Sequence, residues 1–196
     1  MRNTIVRLVP LFLVIMLMAS AVACSQPSSD QTTPPKPILT VTKGSVSKSF
    51  TMEDLKAMPT TEWVGWLRKE NGPIEGPYQG KGVEILDLCN TVGGMGPGES
   101  AEVMMKDGFT ELMYNNIVGR HFKTYDAKTG KECPPPDNVI ALLAYEQDGK
   151  PLTGEFAPLR LMILAGENKA THGYLWLGAI TKVEIHKWEG LQDIDE

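Results

Sequence analysis

Apolar and polar positions alternate over residues 39–42 and again over 46–50, with Lys43-Gly44 between them, which predicts a β-hairpin. Thr51 then precedes Met52-Glu53-Asp54-Leu55, an N-cap with an acid three residues on. The short helix it opens must end before Pro59. Residues 62–67 (EWVGWL) have strand composition, and Asn71-Gly72-Pro73 and Glu75-Gly76-Pro77 read as turns. Apolar residues at 85, 86, 88, 89 and 92 give residues 83–92 a helical spacing, stopped by Gly93-Gly94. Residues 101–105 and 109–114 flank Lys106-Asp107-Gly108, a second hairpin signal. The run VIALLAY at 139–145 is long enough for one buried strand, and Asp148-Gly149 turns the chain after it. Residues 159–164 form a further strand in which alternation sets Arg160 opposite Leu159 and Leu161. Residues 179–188 (AITKVEIHKW) alternate to the end of the domain.

Many strands, short helices and frequent glycine turns predict a β-rich α+β domain with a mixed, barrel-like sheet. Strands and helices do not alternate in a repeating order, which excludes a doubly wound nucleotide-binding fold. Residues 119–136 (GRHFKTYDAKTGKECPPP) are polar and read as one long irregular loop, either shaping a site or simply crossing the surface.

Upstream of residue 38 the pattern changes. Arg2 and Arg7 precede an apolar run over residues 8–22, and Ala21-Val22-Ala23 leads to Cys24. That run is too short for a spanning helix of about 20 residues and has the layout of a secretory signal. Its ending resembles a bacterial lipobox, which implies cleavage before Cys24 and a lipid on that sulfur; a plain signal with Cys24 incidental and an uncleaved anchor are the alternatives. Residues 1–23 are thus expected to be a signal peptide and 24–37 a lipid-anchored Ser/Thr/Pro tether. The domain is expected at 38–190, with an acidic tail at 191–196. This places the protein in the cell envelope, on the extracytoplasmic face of a bacterial membrane.

The 196 residues carry 19 Lys+Arg, 24 Asp+Glu and a formal charge of −5, and losing Arg2 and Arg7 makes the mature chain more acidic still. No basic cluster is present, so nucleic acid is excluded as a partner. The acidic surface would not adhere to anionic lipid by itself, which leaves membrane attachment to the anchor. Three cysteines are too few for a disulfide-built scaffold. Outside the cytoplasm Cys89 and Cys133 are free to pair or to stay apart.

No standard catalytic motif occurs: there is no G-x-S-x-G, H-E-x-x-H, C-x-x-C or Walker loop. The glycine-rich stretch at 93–98 follows a helix, and reads as a helix stop rather than a phosphate cradle. His121, His172 and His186 lack metal-ligand spacing, and His121 and His172 are expected in loops. The methionines outside the signal fall at apolar positions, as core residues do. The mature chain has three arginines, Arg68, Arg120 and Arg160. Arg160 interrupts an apolar strand, either as a structural fork or as a site for an anion.

One stretch, LLAYEQDGKPLTGEFAPLRLMILAG at 142–166, resembles the sulfite-oxidase-type molybdopterin-binding domain. In that pattern a buried strand ends in Ala-Tyr-Glu, a glycine turn follows, and Pro-Leu-Arg opens the next strand. FTMEDLKAMP at 50–59, Tyr78-Gln79-Gly80 followed by VEILDL at 83–88, and Lys106-Asp107-Gly108-Phe109 fit the same pattern in the same order. The resemblance implies a fold that holds a molybdopterin cofactor, with the metal gripped by a cysteine after the strand that follows the first helix. Lys69 stands at that place. A protonated amine has no lone pair to replace a soft thiolate, and Cys89 and Cys133 lie elsewhere. The family's basic and aromatic pair near the last strand is also missing, with Gly178-Ala179 in its place.

The reading that follows is an anchored binding or accessory redox module with a molybdopterin-like domain and no molybdenum ligand. Arg160, Lys169 and His172 are its candidate cofactor-binding residues, for a small anionic or pterin-like ligand, with a redox protein as a possible partner. An active molybdopterin-dependent oxidoreductase with an altered ligand set is the alternative. A purely structural envelope lipoprotein, with no pocket near Arg160, is a third.

Overall fold

The computed structural model describes residues 35–70 and 72–189. The expected signal, the lipidated Cys24, residues 24–34 of the tether and the tail at 191–196 lie outside the described residues. No described helix is long and apolar enough to cross a membrane.

In chain order the elements are β1 (Leu39–Lys43), β2 (Val46–Phe50), α1 (Met52–Ala57), β3 (Thr61–Arg68), β4 (Ile74–Glu84) and α2 (Ile85–Asn90). There follow β5 (Glu99–Met105), β6 (Gly108–Met113), α3 (Tyr114–Ile117), β7 (Thr124–Asp126), β8 (Glu132–Cys133) and β9 (Ile140–Gln147). The chain closes with β10 (Lys150–Pro151), β11 (Arg160–Leu164), β12 (Lys169–His172) and β13 (Ile180–Lys187). Short 3₁₀ turns at Gly154–Phe156 and Gly173–Leu175 flank β11 and β12.

One sheet has the order β2-β1-β13-β5-β6, with β1 and β13 parallel. The other runs β10-β9-β4-β3-β12-β7-β8, with β11 also on β9 and with β3 and β12 parallel. Both sheets are mixed and open. The expected barrel-like closure is therefore corrected, since each sheet keeps two edges. Three of these edges are blunted: β8 and β10 have two residues each, and β2 exposes four of its five.

The continuous apolar runs of β9 and β11 arise because both faces of these strands are covered. Ala141, Leu143, Tyr145, Leu161 and Ile163 enter a large core with the first sheet and the helices. Ile140, Leu142, Ala144, Met162 and Leu164 enter a second core with Leu67 and Trp176. In β13, Ile180 and Val183 are both buried despite their odd spacing. A register shift between Ile180 and Lys182 restores the phase.

Thr51 caps α1 in the expected box with Asp54, and Gly94 N–H closes α2 on the Cys89 carbonyl at 2.9 Å. Four local expectations differ. Glu75-Gly76-Pro77 is an irregularity inside β4 rather than a turn; Gly76 has φ +132, and a Cβ there would stand 3.1 Å from the Gly65 carbonyl. The helix expected over 83–92 is shorter, because Val83 and Glu84 still pair with β9. The loop expected over 119–136 contains β7 and β8, whose short polar strands are ordered through β12. His172 ends β12 instead of lying in a loop.

Candidate functional site

Strand alternation sorts the residues around β12 onto two faces. His172 is opposite Arg68 on β3, and Ala170 is opposite Tyr125 on β7. These share one face. The Tyr125 hydroxyl and His172 Nε2 are hydrogen-bonded at 2.5 Å, and the Arg68 guanidinium lies 4.3 Å from the Tyr125 ring centre. Tyr174, largely exposed, packs against His172 with ring centres 5.0 Å apart. Burial lowers the His172 pKa, and the Arg68 and Lys123 charges lower it further, so the ring is neutral at pH 7. A cavity of about 230 Å³ lies along this face, lined by His172, Tyr174, Lys123, Asn116 and Glu111 among others. Arg68 also borders a cavity of about 480 Å³ with Gly72, Ile74 and the β7–β8 turn.

Lys169 lies on the opposite face. It is opposite Asp126, while Thr171 is opposite Thr124 and Thr124 opposite Cys133. Lys169 Nζ donates to Cys133 Sγ at 3.1 Å. Lys169 and His172, three apart on one strand, are therefore separated by the sheet.

Arg160 opens β11 at a third place. It is 6% exposed. Its Nη1 donates to Gln147 Oε1 at 2.5 Å, and its guanidinium stacks 3.9 Å from the Phe156 ring centre and 5.4 Å from Trp176. Trp176 Nε1 in turn donates to Thr171 Oγ1 at 2.8 Å, which links the Arg160 pocket to the Lys169 face. Arg160 Nε is buried with no hydrogen-bond partner, and no described carboxylate is in ion-pairing contact with the guanidinium. Burial lowers its pKa, and the Tyr78, Glu155 and Asp148 groups oppose that shift from a distance. Gln147 and Phe156 also line a cavity of about 480 Å³ with Lys150, Pro151, Leu152 and Thr153.

Lys69 follows β3 and pairs with Glu75 at 2.6 Å. Cys89 is fully buried in α2, where burial pushes its thiol up to about 12. Cys133 is partly exposed, and neither cysteine is in a disulfide. His186 faces Glu102 and Glu111 at 3.7 and 3.6 Å, and the His121 side chain is exposed. Among the described residues no three metal-ligating side chains converge.

The chain shares its fold with the sulfane dehydrogenase SoxCD from Paracoccus pantotrophus. The two superpose with a TM-score of 0.55 at 17% identity, over 76% of this chain and 38% of that one. The chain thus spans well under half of that protein's length. No protein family is matched by the sequence, and no curated protein is.

Four participants around β12 have weak sequence signals. Tyr125 and Lys123 fall in a polar stretch with no strand periodicity, and only pairing with β12 orders it. Arg68 is visible as one of three arginines, but it meets His172 from a strand far upstream in the chain. Tyr174 follows His172 in a short 3₁₀ turn.

Proposed function

We propose that this protein is an extracytoplasmic, lipid-anchored binding or accessory redox module, built on a molybdopterin-oxidoreductase-like domain without a molybdenum thiolate. The observation that carries the reading is Arg160. Burying a guanidinium this deeply costs on the order of several kcal/mol in lost hydration unless something compensates it. Its aromatic stacking and one amide bond leave Nε unpartnered. A bound anion would supply what is missing. The fold shared with SoxCD, and the motif resemblance at 142–166, favour a pterin phosphate or a similar small anion as that ligand.

The donor set does not fit molybdenum. Lys69, at the place the resemblance assigns to the metal thiolate, holds a protonated amine against Glu75. No reaction step is therefore assigned to the metal. In this account Arg160 is the principal anion contact. Lys169 and His172 approach from the two faces of β12, as secondary contacts or as the surface for a redox partner.

The test is anion-dependent thermal stabilisation with inorganic phosphate as the probe. Arg160→Ala should weaken it more than Lys169→Ala, because a two-pronged donor is lost. Small and equal effects would remove Arg160 from the site. For the anchor, Cys24→Ser should release the protein from membranes, since the acidic chain has no basic patch to retain it. Retention of that variant would contradict lipid attachment.

A further inference from the structure

Cys133 lies on the two-residue edge strand β8, and Lys169 is the first residue of β12, with β7 between them. Their side chains meet on one face, Nζ to Sγ, at 3.1 Å. Thr124 Oγ1 fixes the sulfur-bearing residue by donating to the Cys133 carbonyl at 2.9 Å. Asp126, directly opposite Lys169, is the natural ion-pair partner. Its Oδ1 is instead held by the Lys128 and Thr129 N–H groups and the Thr129 hydroxyl, at 3.1, 2.8 and 2.9 Å, and Lys169 acts on the carboxylate through its charge without an ion-pair contact. The amine is left pointing at sulfur. The other described thiol, Cys89, is sealed in the core.

We propose that Cys133 and Lys169 form an oxidation-triggered, reversible covalent cross-link. In the first step the Cys133 thiol attacks a hydroperoxide. An S–O bond forms, the O–O bond breaks, sulfur is oxidised to the sulfenic acid, and hydrogen peroxide is reduced to water. In the second step the Lys169 amine, having released one proton to solvent, displaces the sulfenic hydroxyl. The S–N bond forms, the S–O bond breaks, and the amine's second proton leaves with the hydroxyl as water. Two external thiols reverse the bond: they become a disulfide and return Cys133–SH and the Lys169 amine. A sulfenic acid ordinarily condenses with a thiol; here the nearest nucleophile inside the domain is an amine.

The bond would staple β8 to β12 across β7 and fix the turn between β7 and β8. That turn borders the cavity at Arg68. Oxidation would also remove the Lys169 charge. The inference needs only the folded domain and stands whether or not an anion binds at Arg160.

The experiment treats the purified full chain with hydrogen peroxide and maps it by mass spectrometry after non-reducing digestion. The expected product joins the peptides containing Cys133 and Lys169, with a mass two hydrogens below their sum, and dithiothreitol restores both. Lys169→Arg should abolish it and send Cys133 to the sulfinic and sulfonic acids, whereas Cys89→Ala should cross-link like the wild type. Wild type unfolded in guanidinium chloride should lose the product. Recovery of wild-type Cys133 as sulfinic or sulfonic acid, or in a disulfide with Cys24 or Cys89 while Lys169 stays unmodified, would overturn the proposal.

Discussion

His172 stands opposite Arg68 across the parallel β3–β12 pair, with the Tyr125 ring between an arginine above its face and an imidazole on its hydroxyl. Burial first, and the neighbouring Arg68 and Lys123 second, hold the His172 pKa below its ordinary 6.5 in the folded protein. On acidification the unfolded chain therefore takes up this proton before the folded one does. The His172 contribution to stability is complete above pH 6.5 and is lost as pH falls through the lower, folded value. Thermal unfolding midpoints should drop as pH falls below about 6.5, and His172→Gln should flatten that dependence. An unchanged slope in the variant would place the titration elsewhere.

The two described cysteines should differ sharply toward thiol reagents. Cys89 is fully buried and its thiol is raised to about 12, so almost no thiolate forms near neutrality. Cys133 is partly exposed. Iodoacetamide at about pH 8 should label Cys133 in the native protein and reach Cys89 only after unfolding. Native labelling of Cys89 would mean that α2 opens readily.

Arg160 tests whether a charge is kept for binding at the expense of stability. Arg160→Met retains much of the packing against Phe156 and Trp176 and removes a desolvated ion. Its stability should stay within about 1 kcal/mol of wild type or exceed it, because apolar replacement of buried ions is often neutral or favourable. Phosphate-dependent stabilisation should disappear in the same variant. A loss of about 3–5 kcal/mol, as when one member of a buried pair is removed, would make Arg160 a structural residue.

Gly82 is a backbone contact rather than a turn. An added Cβ would lie 2.1 Å from the Leu143 carbonyl oxygen and 2.6 Å from Ala144 Cα, where β4 shifts register against β9. Neither neighbour is the end of a flexible side chain. Gly82→Ala should destabilise by roughly 1–3 kcal/mol, the ordinary range for overpacking, measured by urea unfolding. A wild-type midpoint would mean that the β4–β9 pairing yields easily.

The hairpins, the capped first helix and the doubly buried strands were legible in the sequence because each depends on local periodicity or turn chemistry. Thr51 and Asp54 are three residues apart, and VIALLAY announces burial by its composition. The β12 neighbourhood was not legible in the same way. β7 and β8 have three and two residues, too few for alternation to register, and they are ordered by pairing with a strand much later in the chain. Arg160, Lys169 and His172 are close in sequence, yet strand alternation and the turn after β11 send them to separate surroundings.

The most direct measurement is molybdenum and pterin content per chain in protein matured in a host that makes molybdopterin. The account predicts molybdenum far below one atom per chain, at a level Cys133→Ser leaves unchanged. Stoichiometric molybdenum that Cys133→Ser abolishes would contradict it, making Cys133 the metal's thiolate and the protein a molybdenum oxidoreductase with a relocated ligand.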